Sequence, residues 1–154
     1  MILEKLAAAR MRNHIITSKN FFSFQSAYRS GHSTESALQR VVSDIRRAAG
    51  DGQCTVLLAL DISAAFDSIN HDVLIDRLKS TFGLSGEVLG WFRSFVSERS
   101  QYIAIGEERS SSKNLSSGVP QGLVLGPLLS SIYVSEVAGI LESLGLRYHQ
   151  YAVT

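Results

Sequence analysis

Two aspartates stand out chemically in the stretch LLALDISAAFD, residues 57–67. Asp61 closes an apolar run that is typical of a buried strand, and Asp67 follows six positions later. A carboxylate at the end of a buried strand needs hydrogen-bond donors or a cation, because an unpaired buried charge is costly. Asp61 can therefore accept backbone N–H bonds from the next turn or bind a metal ion, and the spacing leaves both open. Asp67 shortly precedes Asn70 in a predicted turn, which favours a local structural role.

Two further stretches could contact a ligand. The loop SGVPQGLVLGPLL, residues 117–129, contains three glycines and two prolines and leads into a predicted helix. Its backbone could approach a ligand closely, and Gln121 has no apolar surface to cover it, although a plain strand-to-helix connection explains the glycines as well. In QSAYRSGHSTESAL, residues 25–38, Arg29 comes just before a helix start. It could bind phosphates there or form a solvated surface salt bridge.

The composition is that of one globular domain with no strong charge bias. The chain has 154 residues, 45% of them hydrophobic, and 15 Lys+Arg against 14 Asp+Glu. The single cysteine, Cys54, lies in the apolar run, so we expect a buried free thiol and a reducing compartment. No stretch approaches the roughly 18 apolar residues of a membrane span, and charged residues from Glu4 onwards interrupt any secretory signal. These features predict an intracellular protein without a membrane partner.

The hydrophobic pattern predicts an α+β fold. Seven helical or extended segments and one hairpin follow in order: a helix over 3–15, a helix over 33–50, a buried strand over 54–60, helices over 70–82 and 85–96, a hairpin over 99–118 with its turn at Gly106, a helix over 126–144 and a strand over 146–152. Ser33 and Asn70 are predicted helix N-caps, and Pro127 suits a first helical position. The two separated strands could pair as neighbours in one sheet.

Taken together and in this order, three stretches resemble the reverse transcriptase domain of non-long-terminal-repeat (LINE-like) retrotransposons. FQSAYRSGHSTESAL is similar to the family's fingers motif, LLALDISAAFDSINHDVLIDRL to its first palm motif and SGVPQGLVLGPLL to its second. The hairpin RSQYIAIG and the segment YHQYA also match the family's order. The resemblance covers nearly the whole chain, from about residue 3 to residue 152.

The resemblance implies RNA-directed DNA polymerase activity, which is templated nucleotidyl transfer assisted by two metal ions. It implies Mg²⁺ as the cofactor, and an RNA or DNA template–primer and a deoxynucleoside triphosphate (dNTP) as partners. Asp61 would be the first metal-binding carboxylate, and the backbone carbonyl of Ile62 would lie beside it.

The remaining site residues follow from the same resemblance. Phe66 would lie under the incoming sugar and exclude a 2′-hydroxyl, which favours deoxynucleotides. Gln121 and Gly122 would line the nucleotide pocket, and Arg29 would contact the triphosphate. Asp67 also matches a family position, and we assign it to the turn rather than to the metal.

The sequence departs from the family at its second set of carboxylates. Those come from a Tyr-Ala-Asp-Asp turn, and here Tyr151 and Ala152 match while Val153 and Thr154 occupy the two aspartate positions. The resemblance therefore implies a truncated right-hand polymerase domain with an incomplete sheet, fingers-like over about 1–50 and a partial palm over about 51–154. We expect it to be inactive by itself, without productive Mg²⁺ binding. Two alternatives stay open: a non-catalytic remnant that binds nucleic acid weakly, and a functionless relic of a decayed element.

Overall fold

The computed structural model describes residues 2–21, 24–26, 29–120 and 122–151. Within these ranges the chain forms six helices and four short strands. The helices are α1 (Ile2–Thr17), α2 (Thr34–Gly50), α3 (His71–Ser80), α4 (Gly86–Val96), α5 (Gly126–Tyr133) and α6 (Glu136–Ser143). The strands are β1 (Arg99–Gln101), β2 (Ala104–Ile105), β3 (Glu108–Arg109) and β4 (Lys113–Leu115). The mixture of helices and small sheets agrees with the predicted α+β class.

Local sequence signals determine where α2 and α3 begin. The Ser33 side chain accepts a hydrogen bond from the Ser36 N–H, and the Ser36 hydroxyl accepts one from the Ser33 N–H, which completes a capping box. At the start of α3, the Asn70 side chain accepts a bond from the Val73 N–H at 3.1 Å. Both predicted N-caps are confirmed. Ser85, the first residue of the helix predicted over 85–96, precedes α4 and makes no side-chain capping bond.

The four strands belong to one antiparallel hairpin. β1 pairs with β4, with Ser100 opposite Asn114, and β2 pairs with β3, with Ala104 opposite Arg109. Gly106 lies at the tip, as predicted. The strands are almost wholly exposed, so the hairpin projects from the core rather than forming part of it.

The core lies where α3, α4 and α5 meet. Helix α3 contacts both α4 and α5. Its fully buried leucines, Leu74 and Leu78, are joined by Phe92 of α4 and Leu129 of α5. Ile15 of α1 also belongs to this cluster, so the first helix packs on the same core. The turn before α3 and the loop before α5 carry the motif residues, and this apolar cluster supports both.

The predicted buried strand over 54–60 is wrong. These residues form neither a helix nor a strand, and all of them are exposed, with Val56 at 90% and Leu58 at 75%. Cys54 is exposed as well, which overturns the expected buried thiol. A strand needs a neighbour for its backbone groups. No other strand among the described residues pairs with this run, including the predicted partner over 146–152.

The C-terminal part also differs from the prediction. The helix predicted over 126–144 is divided into α5 and α6. At the division, the Val134 N–H donates to the Ser130 carbonyl at 3.1 Å, as in an α-helix. The Ser135 N–H donates to the Ile132 carbonyl at 3.2 Å, which is the shorter three-residue spacing of a tightened turn. The predicted final strand is reduced to one parallel bridge between Gln25 and Gln150, and its last residue, Ala152, lies outside the described residues. No helix in the described part of the chain has the length and apolarity needed to cross a membrane.

Candidate functional site

The first palm-like motif forms a tight turn between the exposed run and α3. The N–H groups of Asp67 and Ser68 both donate to the Ala64 carbonyl, each at 2.9 Å. Ala64 has a φ of 51°, a left-handed conformation that is uncommon for a residue with a side chain. Asp67 thus lies in a turn, as expected. Asp61 is exposed, so the predicted carboxylate at the end of a buried strand is instead a carboxylate in solvent.

Backbone hydrogen bonds join this turn to the glycine-rich loop. The Val119 N–H donates to the Phe66 carbonyl at 2.9 Å, and the Gly118 N–H donates to the Ile69 carbonyl at 2.8 Å. The two motifs are about 50 residues apart in sequence, and this pairing fixes one against the other. We call this contact the turn–loop junction, meaning residues 64–71 and 116–119 with the bonds between them.

His71 adds two further bonds to the turn–loop junction. Its backbone N–H donates to the Ser116 carbonyl at 3.3 Å, and its ring Nε2 lies 2.8 Å from the Gly118 carbonyl oxygen. His71 is buried. For this contact the ring must carry its proton on Nε2, since a carbonyl oxygen can only accept. The sequence offered no local signal for this role, because the partner lies 47 positions away.

The loop glycines allow the junction to be this close. A Cβ on Gly118, where φ is +91°, would lie 3.3 Å from the Asp67 carbonyl oxygen. A Cβ on Gly126 would lie 3.5 Å from the Phe66 ring, which is half-buried against the start of α5. Gly122 differs, because its φ is +81° but, apart from its chain neighbours, no atom of the described residues lies within 4 Å of the Cβ position. Its positive φ favours glycine, but no close packing of the described residues requires one there. The neighbouring Gln121 lies outside the described residues.

A buried carboxylate positions the end of the loop. Glu4, in the first turn of α1, is 5% exposed and its Oε1 accepts a hydrogen bond from the Leu125 N–H at 3.0 Å. Leu125 immediately precedes α5, so Glu4 satisfies an N–H group at a helix start and lies at the end where the helix dipole favours negative charge. Sequence reasoning missed this contact, since 121 positions separate the two residues.

The fingers-like motif contacts the YHQYA segment. The Ser26 N–H donates to the Gln150 carbonyl at 3.0 Å, and the Gln150 N–H donates to the Phe24 carbonyl at 3.2 Å. Ser26 Oγ also lies 2.9 Å from His149 Nε2. Burial, together with the nearby Arg40 charge, lowers the pKa of His149 below its ordinary value. Two motifs at opposite ends of the sequence are therefore neighbours in the fold.

Aromatic and charged side chains extend this contact. The Phe24 ring lies edge-on to Tyr148, with centroids 5.6 Å apart, and the Arg40 guanidinium lies 4.2 Å from the Phe24 centroid. Burial and a hydrogen bond to the Glu142 carboxylate raise the pKa of Tyr148 to about 12. Arg29, the predicted phosphate contact, lies nearby in sequence in the turn before α2, where its carbonyl accepts a bond from the His32 N–H at 3.3 Å.

The described residues do not make up a two-metal site. Asp61 is an exposed carboxylate next to the Ile62 carbonyl, and no group of three His, Cys, Asp or Glu residues that could hold a metal occurs in the part of the chain that the structure describes. Two metal ions close together require several carboxylates. The metal-binding side chains among the described residues are too few to hold two metal ions for nucleotidyl transfer.

The reverse transcriptase (RNA-dependent DNA polymerase) family matches residues 2–152 of this chain. The chain belongs to this family. It is 33% identical, over 88% of its length, to the RNA-directed DNA polymerase from the mobile element jockey of Drosophila melanogaster. The probable RNA-directed DNA polymerases from transposon BS and from transposon X-element of the same organism are 32% and 35% identical over 87% and 86% of the chain. The LINE-like reverse transcriptase resemblance is confirmed.

This reverse transcriptase segment is short compared with those relatives. The matched region corresponds to 15% of the transposon BS and jockey proteins and 14% of the X-element protein. The chain therefore spans about one seventh of the length of these curated relatives.

Proposed function

We propose that this chain supplies the nucleotide-positioning part of an RNA-directed DNA polymerase site and does not catalyse polymerisation by itself. In this proposal residues 1–50 are fingers-like and residues 51–154 are a partial palm. The observation that supports it best is the turn–loop junction, which holds the Asp61 motif against the glycine-rich loop through backbone hydrogen bonds. Two segments that must face one substrate are thereby held in one fixed arrangement.

Each motif residue has a proposed role. Phe66 supports the sugar of a dNTP and rejects a 2′-hydroxyl, and its packing against Gly126 supports this role by holding the ring at the loop. Gly122 lines the nucleotide pocket, which its open surroundings permit. Gln121 lines the same pocket. Arg29, at the turn before α2, contacts the triphosphate.

Asp61 and the Ile62 carbonyl are proposed as the remaining ligands of an Mg²⁺ site. When bound, Mg²⁺ would supply charge stabilisation to the transferring phosphoryl group. Val153 and Thr154 cannot replace the two aspartates that the family has after Tyr-Ala, because neither side chain carries a negative charge. We therefore infer that the chain alone lacks polymerase activity.

A primer-extension assay tests the inactivity directly. The purified chain is incubated with Mg²⁺, an RNA template annealed to a DNA primer, and the four dNTPs, with an active reverse transcriptase as the positive control. We expect no extension above that of the Asp61→Asn variant. Extension by the parent chain that Asp61→Asn abolishes would contradict the proposal and would mean that the site is complete.

A non-catalytic nucleic-acid-binding role is the second candidate. The last turns of α2 carry the exposed arginines Arg46 and Arg47, and the exposed Arg40 precedes them on the same helix. A net charge of +1 provides little long-range attraction, so we expect weak RNA binding that falls steeply with salt. Fluorescence anisotropy with a labelled RNA over a salt series measures this. Tight binding that is insensitive to salt would contradict it.

A further inference from the structure

One peptide group of the glycine-rich loop is held from both sides. The Val119 N–H donates to the Phe66 carbonyl at 2.9 Å, and the Gly118 carbonyl oxygen lies 2.8 Å from the His71 ring Nε2. This N–H and this carbonyl belong to the same planar peptide group and point in opposite directions. Phe66 and His71, at the two ends of one turn, therefore fix its orientation together.

Gly118 makes this orientation depend on the hydrogen bonds. Its φ is +91° and it has no Cβ, so its own backbone restricts the following peptide group far less than another residue would. The bond on the carbonyl side comes from a buried ring, since His71 is 6% exposed. Without that bond, only the Val119 N–H would hold the peptide group, and its carbonyl could rotate away from the turn.

The residues after this peptide group transmit its orientation along the loop. Val119 is buried, and a residue that precedes proline is confined to extended backbone conformations. Pro120 has a φ that its ring restricts. The chain is therefore stiff at this point, and Gln121 and Gly122, which are proposed to line the nucleotide pocket, follow directly. A rotation of the peptide group would move that lining relative to the Phe66 turn.

We propose that His71 is a positioning residue that sets how strongly the pocket prefers deoxynucleotides over ribonucleotides. This inference rests on the proposed function, in which the Phe66 ring rejects a 2′-hydroxyl. Rejection by shape requires a fixed gap between that ring and the loop, and a displacement of about 1 Å is enough to weaken it. His71 fixes this gap through the Gly118 carbonyl and does not contact the nucleotide.

Two amide substitutions and one control isolate the hydrogen bond of the ring. The amide N–H of His71→Gln extends about as far from the backbone as the imidazole Nε2, so it can donate to the Gly118 carbonyl. His71→Asn carries the same amide one methylene group closer to the helix and cannot reach. His14 provides the control, because its ring Nε2 also lies 2.8 Å from a backbone carbonyl, that of Phe82, away from the loop. His14→Asn removes this second contact.

A nuclear magnetic resonance titration measures the preference for the sugar. Dissociation constants of dATP and ATP are determined for the labelled chain with an RNA template–DNA primer duplex whose next template base is uracil. A pocket that excludes a hydroxyl by shape discriminates by roughly a hundredfold, so we expect His71→Asn to lower the ratio of the ATP constant to the dATP constant by at least about tenfold. His71→Gln and His14→Asn should keep the ratio of the parent.

The outcomes separate this inference from the proposed function. An unchanged ratio in His71→Asn, or an equal loss in His71→Gln or His14→Asn, would overturn the inference and leave the proposed function standing. Absence of dATP binding by the parent would overturn the proposed function, and the inference with it.

Amide hydrogen exchange tests the positioning step without a nucleotide. The Val119 amide should exchange at least about tenfold faster in His71→Asn than in the parent, because the peptide group opens locally. The Leu129 amide, which donates to the Leu125 carbonyl at 2.9 Å at the start of α5, should change much less. His71→Gln should resemble the parent at both amides. A merely stabilising role would accelerate both amides equally in His71→Asn, and that result would overturn the proposal.

Discussion

Substituting Gly118 by alanine should weaken the turn–loop junction more than any other glycine substitution in the loop. Gly118 has a φ of +91°, and an added Cβ would lie 3.3 Å from the Asp67 carbonyl oxygen and 3.4 Å from its Cα. The neighbouring atoms are backbone atoms of a hydrogen-bonded turn, so they cannot move aside as a flexible side chain would. Gly122→Ala is the matched control, because its φ of +81° imposes a similar strain, while no described atom beyond its chain neighbours lies within 4 Å of the added Cβ.

The two substitutions separate strain from contact. Placing an alanine in a left-handed conformation costs roughly 1–2 kcal/mol, and this term is common to both variants. Forcing an extra methyl group against a packed neighbour costs a further ~1–3 kcal/mol, and only Gly118→Ala has this term. We therefore expect Gly122→Ala to lower the free energy of unfolding by about 1–2 kcal/mol and Gly118→Ala by about 2–5 kcal/mol.

Urea unfolding followed by tryptophan fluorescence measures this difference. Trp91 is the single tryptophan of the chain, and it stacks on Phe95 in α4 with centroids 5.3 Å apart, so it reports on the core rather than on the loop. The free energies should be compared at an unchanged slope against urea. Equal destabilisation by the two variants would refute the argument, since it would mean that Gly118 does not lie against the Asp67 backbone.

Three further predictions concern caps and titration. Asn70→Ala should lower the free energy of unfolding by about 1 kcal/mol because it removes the cap of α3, whereas Ser85→Ala, at a cap position that makes no side-chain bond, should change it little; urea unfolding checks both. Glu4→Ala should destabilise by about 1–3 kcal/mol by leaving the buried N–H group before α5 unpaired, and Glu4→Gln, which keeps an acceptor oxygen, should recover most of this in the same assay. The pKa of Tyr148 is raised by burial and by Glu142 to about 12 from 10.0, so its contribution to stability is present below about pH 10 and is lost as the pH rises through 12. Glu142→Gln should lower that pKa in an ultraviolet titration, and an unchanged pKa would exclude Glu142 as a cause.

Features that depend on neighbouring residues in sequence were predictable. The caps at Ser33 and Asn70 and the hairpin turn at Gly106 are confirmed, because each requires only a local side chain or a local backbone conformation. The helix starting at Gly126, with Pro127 in its first turn, follows the same logic.

Features that depend on distant partners were not predictable from one sequence. The apolar run before Asp61 has the composition of a buried strand, but burial requires a second strand, and the described residues provide none next to it. Cys54 was misplaced for the same reason. The contacts of Glu4 and His71 join residues that are 121 and 47 positions apart, and nothing in their local sequence indicates the partner.

The family could be predicted from the sequence, whereas the geometry of the candidate site could not. The motif order indicated the reverse transcriptase family, which the match over residues 2–152 confirms. The hydrogen bonds that hold the Phe66 turn against Val119 could not be read from the motifs. The roles proposed for Asp61, Phe66 and Arg29 stay predictions until a ligand is observed.

The most direct test of the central claim is a nuclear magnetic resonance titration of the isotope-labelled chain with a dNTP and a template–primer duplex. Chemical-shift changes detect weak binding, so catalytic activity is not required. The proposed role predicts that the largest changes occur at Asp61, Phe66 and Gly122 and at Arg29 in the turn before α2. Changes confined to α6 or the hairpin, or no change at saturating ligand, would contradict the claim that this chain positions a nucleotide.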